Sequence, residues 1–175
     1  MISKKICLVG DFNVGKTSLI RRFVDRQFSD QYLSTVGVKI SRKIVELEEV
    51  AEKKNLSVQL LIWDLEGSTK FKAIAPTYLQ GSKGAIIVGD LTRPETFEHI
   101  QDHIQLFSSI NPKGQIVIAL NKFDLVDQAK LEKFIASYQP SCQQVTAIYS
   151  TSAKTGKDVD AIFQTLTAKI METSG

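Results

Sequence analysis

The sequence predicts an α/β fold, a mostly parallel sheet with helices on both faces. Three observations carry this. Short apolar runs rich in Ile and Val recur along the chain, amphipathic segments of helical period lie between them, and the motifs that carry chemistry fall where the runs end. A length of 175 residues suits a single domain over 1–175, with no room for a second of ordinary size.

The strand candidates, in order, are KICLVG near the N-terminus, LSVQLLIW (56–63), GAIIVGD (84–90), GQIVIALN (114–121) and TAIYSTS (146–152). They are short and nearly continuous in hydrophobicity, as expected of strands buried on both faces. TVGVKI and IVELE add a more polar strand, placed at an edge. The polar segment LEEVAEKKN (47–55) reads as an extended hairpin between two strands.

The helix candidates show spacings of three and four. Leu19, Ile20, Phe23 and Val24 mark a helix over 17–27. Phe97, Ile100, Ile104 and Phe107 mark the next; Leu131, Phe134, Ile135 and Tyr138 another; and Val159, Ile162, Phe163, Leu166 and Ile170 the last. These side chains read as core rather than as a ligand box. In such a sheet, ligands bind beyond the carboxyl ends of the strands.

A net charge of +3 is too small to suggest nucleic acid or an acidic membrane as the main partner. Cys7 lies in an apolar run and Cys142 in a loop; neither has metal-ligand spacing, and two thiols make no disulfide framework. The N-terminus turns polar too soon for a signal peptide, and no apolar run approaches the ~20 residues that span a bilayer.

The strongest motif is GDFNVGKT (10–17), which fits G-x-x-x-x-G-K-[ST] between a strand and a helix. Gly10 and Gly15 permit backbone angles that turn successive N–H groups toward phosphate oxygens. The following helix adds its positive end. Lys16 would reach the β and γ phosphates, and Thr17 would offer its hydroxyl to Mg²⁺. The residues expected to hold phosphate are Asn13, Gly15, Lys16, Thr17 and Ser18.

The base is read elsewhere. NKFD (121–124) ends the strand QIVIAL on the same edge. The Asp124 carboxylate can accept from guanine N1–H and the 2-amino group, donors that adenine lacks. A site built on such groups discriminates by roughly 10⁴. Lys122 can lay its stem along the ring, and Asn121 can tie this loop to the phosphate loop. TSAK (151–154) places Ser152, Ala153 and Lys154 at the end of the last strand, where the Ala153 N–H can meet guanine O6. Either motif alone is a polar turn; their order after a phosphate loop points to guanine nucleotide.

Together these motifs resemble the Ras superfamily of small GTPases over about residues 4–170, and the Rab group most closely. FSDQYLSTVGVKI is similar to the Rab switch I and effector strand, and LLIWDLEGSTKFKAIAPTYLQGSKGAIIVGDLT to strand three, switch II and the strand beyond. The resemblance implies a P-loop NTPase fold, a G-domain with six strands and about five helices. It implies that Phe28 stacks on the guanine edge, and that Thr35 gives its hydroxyl to Mg²⁺ and its N–H to the γ-phosphate. It further implies that Asp64 holds Mg²⁺ through water and that the Gly67 N–H meets the γ-phosphate. The expected metal set is Thr17, Thr35 and Asp64; the expected catalytic set is Lys16, Thr35, Gly67 and Ser68. Thr35 and Gly67 would sense the γ-phosphate, so GTP and GDP would give two shapes. Protein effectors, an exchange factor and a GTPase-activating protein would read those shapes through switch I and II.

The sequence departs from the family around one water site. Ser68 stands where the family has the Gln that orients the attacking water, Glu66 where it has Ala, and Phe12 where it keeps a small residue. Since positioning and electrostatics carry phosphoryl transfer, hydrolysis is expected to be slow without a partner. The rival expectation is a nucleotide-locked binding module. An ATPase or nucleoside kinase is disfavoured by NKFD. Ile40 replaces the Phe of the Rab aromatic trio, beside Trp63 and Tyr78. The chain ends AKIMETSG, with no terminal Cys pair or C-a-a-X box, so the expectation is a cytoplasmic monomer, either trimmed of a lipidated tail or without a lipid anchor.

Overall fold

The computed structural model describes residues 1–29, 37–49, 54–65, 75–138 and 142–174. The order is β1 (Ile2–Gly10), α1 (Lys16–Asp25), β2 (Val38–Glu49), β3 (Lys54–Leu65), α2 (Ala75–Leu79), β4 (Gly84–Asp90), α3 (Glu95–Ile110), β5 (Gln115–Asn121), α4 (Gln128–Ser137), β6 (Val145–Ser150) and α5 (Val159–Ser174). The six strands form one sheet in the order β2-β3-β1-β4-β5-β6. Only the β2–β3 pair is antiparallel. The sheet is the mostly parallel, six-stranded one that the family resemblance implies.

Alternation along the central strands builds two cores. Ile6 and Leu8 of β1, Ile86 and Val88 of β4, and Val117 and Ala119 of β5 face α1 and α5, where they meet Leu19, Ile162, Phe163 and Leu166. The intervening residues, Cys7 and Val9, Ala85 and Ile87, and Ile116 and Ile118, face α3 with Ile100, Ile104 and Phe107. Strands buried on both faces therefore read as continuous apolar runs. On the first face the Phe23 and Phe163 rings stack at 4.0 Å.

The extended hairpin read from 47–55 is present: Glu49 pairs with Lys54 at its far end, and β2 and β3 are each 12 residues long. Two readings change. β6, an edge strand, is half-buried along its length rather than buried on both faces. Ile135 is exposed, not core. α4 packs through Leu131 and Phe134, and Phe134 lies against Phe97 at 4.2 Å and Tyr138 at 5.5 Å. Ile135, one residue on from Phe134, turns about 100° away from that line. No helix among the described residues is long and apolar enough to cross a membrane.

Candidate functional site

The phosphate loop leaves β1 at Gly10 and enters α1 at Lys16. Gly15 adopts φ 100°, and a Cβ there would stand 2.3 Å from Asn121 Nδ2. Both facts require glycine: the backbone is left-handed, and the space is filled by a side chain from the end of β5. Asn121 Nδ2 in turn donates to Val14 O at 3.0 Å, which ties the two loops together. Asn13 also takes a positive φ, 61°, and its carbonyl accepts from Lys122 Nζ at 3.2 Å.

Lys16 is buried. Its Nζ donates to Gly10 O at 3.1 Å and to Asp11 O at 3.0 Å. Burial pushes its pKa down to about 8; the nearby Asp64 and Asp11 carboxylates oppose this, and Arg93 adds to it. An anion placed at this ammonium would offset the cost of burying it. Beside it, Thr17 Oγ1 donates to Asp64 Oδ2 at 2.5 Å. A hydroxyl and a buried carboxylate from two elements are hard oxygen donors of the kind Mg²⁺ takes, so this pair fits that cation. Ser18 follows on the same helix, half-buried.

At the ends of β5 and β6 a hydroxyl network holds the next two motifs. Thr151 Oγ1 donates to Asn121 Oδ1 at 3.1 Å, and Ser152 Oγ donates to Asp124 Oδ1 at 2.8 Å. Asp124 lies in a short 3₁₀ turn, Phe123–Leu125, with its side chain exposed. Ala153 is buried, and the exposed Lys154 gives its carbonyl to Arg22 Nη2 at 2.5 Å. Phe28 packs against the α1/α5 core. The structure thus brings Gly15, Lys16, Thr17, Asp64, Asn121, Lys122, Asp124 and Ser152 to one sheet edge. Thr35, Glu66, Gly67 and Ser68 lie outside the described residues.

Sequence reasoning missed the charges behind the loops. Asp90, at the end of β4, is fully buried and accepts from Lys122 Nζ at 2.8 Å and Arg93 Nε at 3.0 Å. Burial alone would raise its carboxyl; Lys122, Thr92 and Arg93 outweigh that and hold it below the usual carboxylate range. Arg93 Nη2 also donates to Phe12 O at 2.6 Å. The Phe12 side chain is about half exposed. An acidic residue ending the run GAIIVGD was the available signal for Asp90; nothing local in sequence named its partners.

A second patch lies on β2, β3 and α2. Ile40 pairs with Trp63 across the strands and is 49 % exposed. The Trp63 and Tyr78 rings stand 6.2 Å apart. Lys5 Nζ sits 3.8 Å from the Trp63 ring centre and donates to Tyr78 O at 2.6 Å.

The family model described as the Ras family matches residues 5–172. The chain is 34 % identical to the Ras-related protein RabC of Dictyostelium discoideum over 170 residues, covering 97 % of this chain and 84 % of that one. It is equally identical to human Ras-related protein Rab-22A, at the same coverage. It is 34 % identical to the GTP-binding protein ypt5 of Schizosaccharomyces pombe, covering 97 % of this chain and 78 % of the relative. A phosphate loop, a base loop tied to it and a matching family over nearly the full length lead to one statement: the chain belongs to the Ras family of small GTPases and is similar to its Rab members.

Proposed function

We propose that this Rab-like GTPase holds GTP and GDP with Mg²⁺ through the residues assembled at the sheet edge, and hydrolyses GTP slowly unless a partner supplies the missing groups. The observation that carries the binding half is the tie between the two loops: Asn121 on Val14, Lys122 on Asn13, and Asp124 set by Ser152.

Each residue then has a task. Asn13, Gly15 and Ser18 line the phosphates with backbone donors, and Lys16 turns its ammonium to the β and γ oxygens. Asp124 accepts from guanine, Ala153 donates to O6, Lys154 closes the far side of the base, and Phe28 covers the guanine edge. Thr17 and Thr35 would hold Mg²⁺ directly, and Asp64 through water. Bound there, the cation neutralises charge on the phosphate oxygens. Thr35 and Gly67 read the γ-phosphate. Ile40, Trp63 and Tyr78 form a face for effectors, and exchange and activating proteins act on switch I and II.

The slow rate rests on Phe12, Glu66 and Ser68. A hydroxymethyl group is too short to orient water from the position of a Gln. A carboxylate before Gly67 repels the γ-phosphate, and a phenyl ring in the phosphate loop crowds the space a catalytic group needs. These three residues also favour a second reading, a nucleotide-locked module that binds partners constitutively. Competition of guanosine and adenosine diphosphates for the purified protein tests the base; equal competition contradicts the proposal. Phe12→Gly, Glu66→Ala and Ser68→Gln combined should speed single-turnover GTP decay by about tenfold or more, a gain of roughly 1.4 kcal/mol in the barrier. An unchanged rate in the combined variant removes these positions as the cause.

A further inference from the structure

The chain has two histidines, and both address one carboxylate in the phosphate loop. His99 and His103 stand four residues apart on α3, hence on one face. His99 Nδ1 pairs with Asp11 Oδ2, and His103 Nε2 lies 3.0 Å from Asp11 Oδ1. Each imidazole takes a different oxygen, so the arrangement is a clamp on the carboxylate. Among the described residues no group of three His, Cys, Asp or Glu could hold a metal ion. The next loop residue is held from the same side, because Arg93, just before α3, donates to Phe12 O. The clamp reaches the phosphate-binding ammonium through one residue, since the Asp11 carbonyl accepts from Lys16 Nζ at 3.0 Å.

We propose that His99 and His103 are positioning residues for phosphate binding: acting through Asp11, they set the phosphate loop beneath Lys16, and their protonation governs how firmly the chain retains nucleotide. The inference rests on the nucleotide-binding reading above. Two effects run in the same direction. With Asp11 ionised the bond from a neutral imidazole is already charge-assisted, and an imidazolium adds the attraction of opposite charges to it. It also offsets a negative charge that would otherwise face the incoming phosphates. Histidine is the side-chain type whose charge ordinarily changes between pH 5 and 8; the clamp is tighter with its imidazoles protonated and looser once they lose their protons.

Among the described residues the charged groups around the clamp are these, with the exposed Glu98 next to His99 on α3. Burial would raise the Asp11 carboxyl, but the bonds and charge from His103 and His99 outweigh it and keep Asp11 ionised throughout this range. Lys16 and Arg93 flank it, with Asp64 of β3 beyond Lys16. Asp90 of β4 is occupied by Lys122 and Arg93. On α3 itself, Glu95 and Asp102 stand one turn either side of His99 and are exposed. The helix α2 contributes no charged residue, and its Tyr78 lies against Trp63.

The test is release of N-methylanthraniloyl-GDP from the intact chain with Mg²⁺ present, between pH 5.5 and 8.0. Wild-type release should accelerate roughly fivefold across the range as the imidazolium–carboxylate attraction is lost, the size of a partly exposed ion pair. H99Q/H103Q should release fast at every pH, with a flat profile. A wild-type profile that the double variant reproduces overturns the inference. Asp11→Asn provides a second arm, and should flatten the profile while both imidazoles remain. If the double variant does not fold, the two imidazole C2–H resonances of the wild type decide. They should titrate differently with and without bound GDP, and identical titrations overturn the inference. A wild type that binds no probe at any pH overturns the nucleotide reading itself, whereas tight binding with a histidine-independent profile overturns only the clamp.

Discussion

The two loops that meet at the sheet edge are held by different chemistry. The base loop, at the ends of β5 and β6, is fixed by two hydroxyl donors, Thr151 on Asn121 and Ser152 on Asp124, and by the ion pair of Lys122 with Asp90. The phosphate loop, at the end of β1, is fixed by ionisable groups: Asp11 between His99 and His103, Phe12 under Arg93, and Asn13 under Lys122. Hydroxyl, guanidinium and ammonium donors keep their state in the ordinary range, and imidazole is the one type among them whose charge changes there. If the proposed roles hold, base choice stays constant with pH, whereas grip on the phosphates sits where imidazole protonation alters it.

Substitutions can break either side of this contrast. Asp124→Ala should have the largest effect. It removes the proposed acceptor for two guanine donors, so a preference for guanosine over adenosine nucleotides, roughly 10⁴ for such a site, should collapse in competition titrations. Lys16→Met comes next. Losing a buried ammonium on phosphate should weaken binding of GDP by about 100-fold, measured calorimetrically, without changing base preference. Ser152→Ala leaves the Asp124 carboxylate in place but unanchored, and should cost about 1 kcal/mol, near fivefold in GDP affinity. A Ser152→Ala effect larger than that of Lys16→Met would reverse the assignment of where the affinity lies.

The smallest effect is on stability. The Asp90 carboxyl is held below the usual range in the fold, against burial, by Lys122, Thr92 and Arg93. A carboxylate depressed in the folded state contributes stability above its unfolded pKa, about 3.9, and loses it as pH falls through the folded value. Chemical denaturation of the wild type should therefore show a loss on acidification through that window. Asp90→Asn should start less stable and show less of this acid-linked loss. Equal acid slopes in the two proteins would place the ionised carboxylate outside the stability of the loop.

Much of this was legible in the sequence, for local reasons. The runs at β1, β4 and β5 show as continuous hydrophobicity because both faces of those strands are covered. The faces of α3 and α5 show because each packs through spacings of three and four. Ile135 misled because α4 is a short outer helix whose contact line passes one residue away from it. The places of GDFNVGKT and NKFD at the ends of β1 and β5 were legible because each motif closes a continuous apolar run. The clamp was not. His99 and Asp11 are 88 residues apart, and no periodicity links them. The four-residue spacing of the histidines was the one available trace, and it fixes a shared face without naming what the face touches.

The central claim is that the chain keeps the means to bind GTP and has lost part of the means to cleave it. Single-turnover decay of GTP on the purified, Mg²⁺-loaded protein, run beside an ordinary Rab protein, tests it most directly. Guanine nucleotide should be retained tightly, and most of the GTP should remain after the comparison protein has consumed its own. GTP decay at the rate of the comparison protein would contradict it.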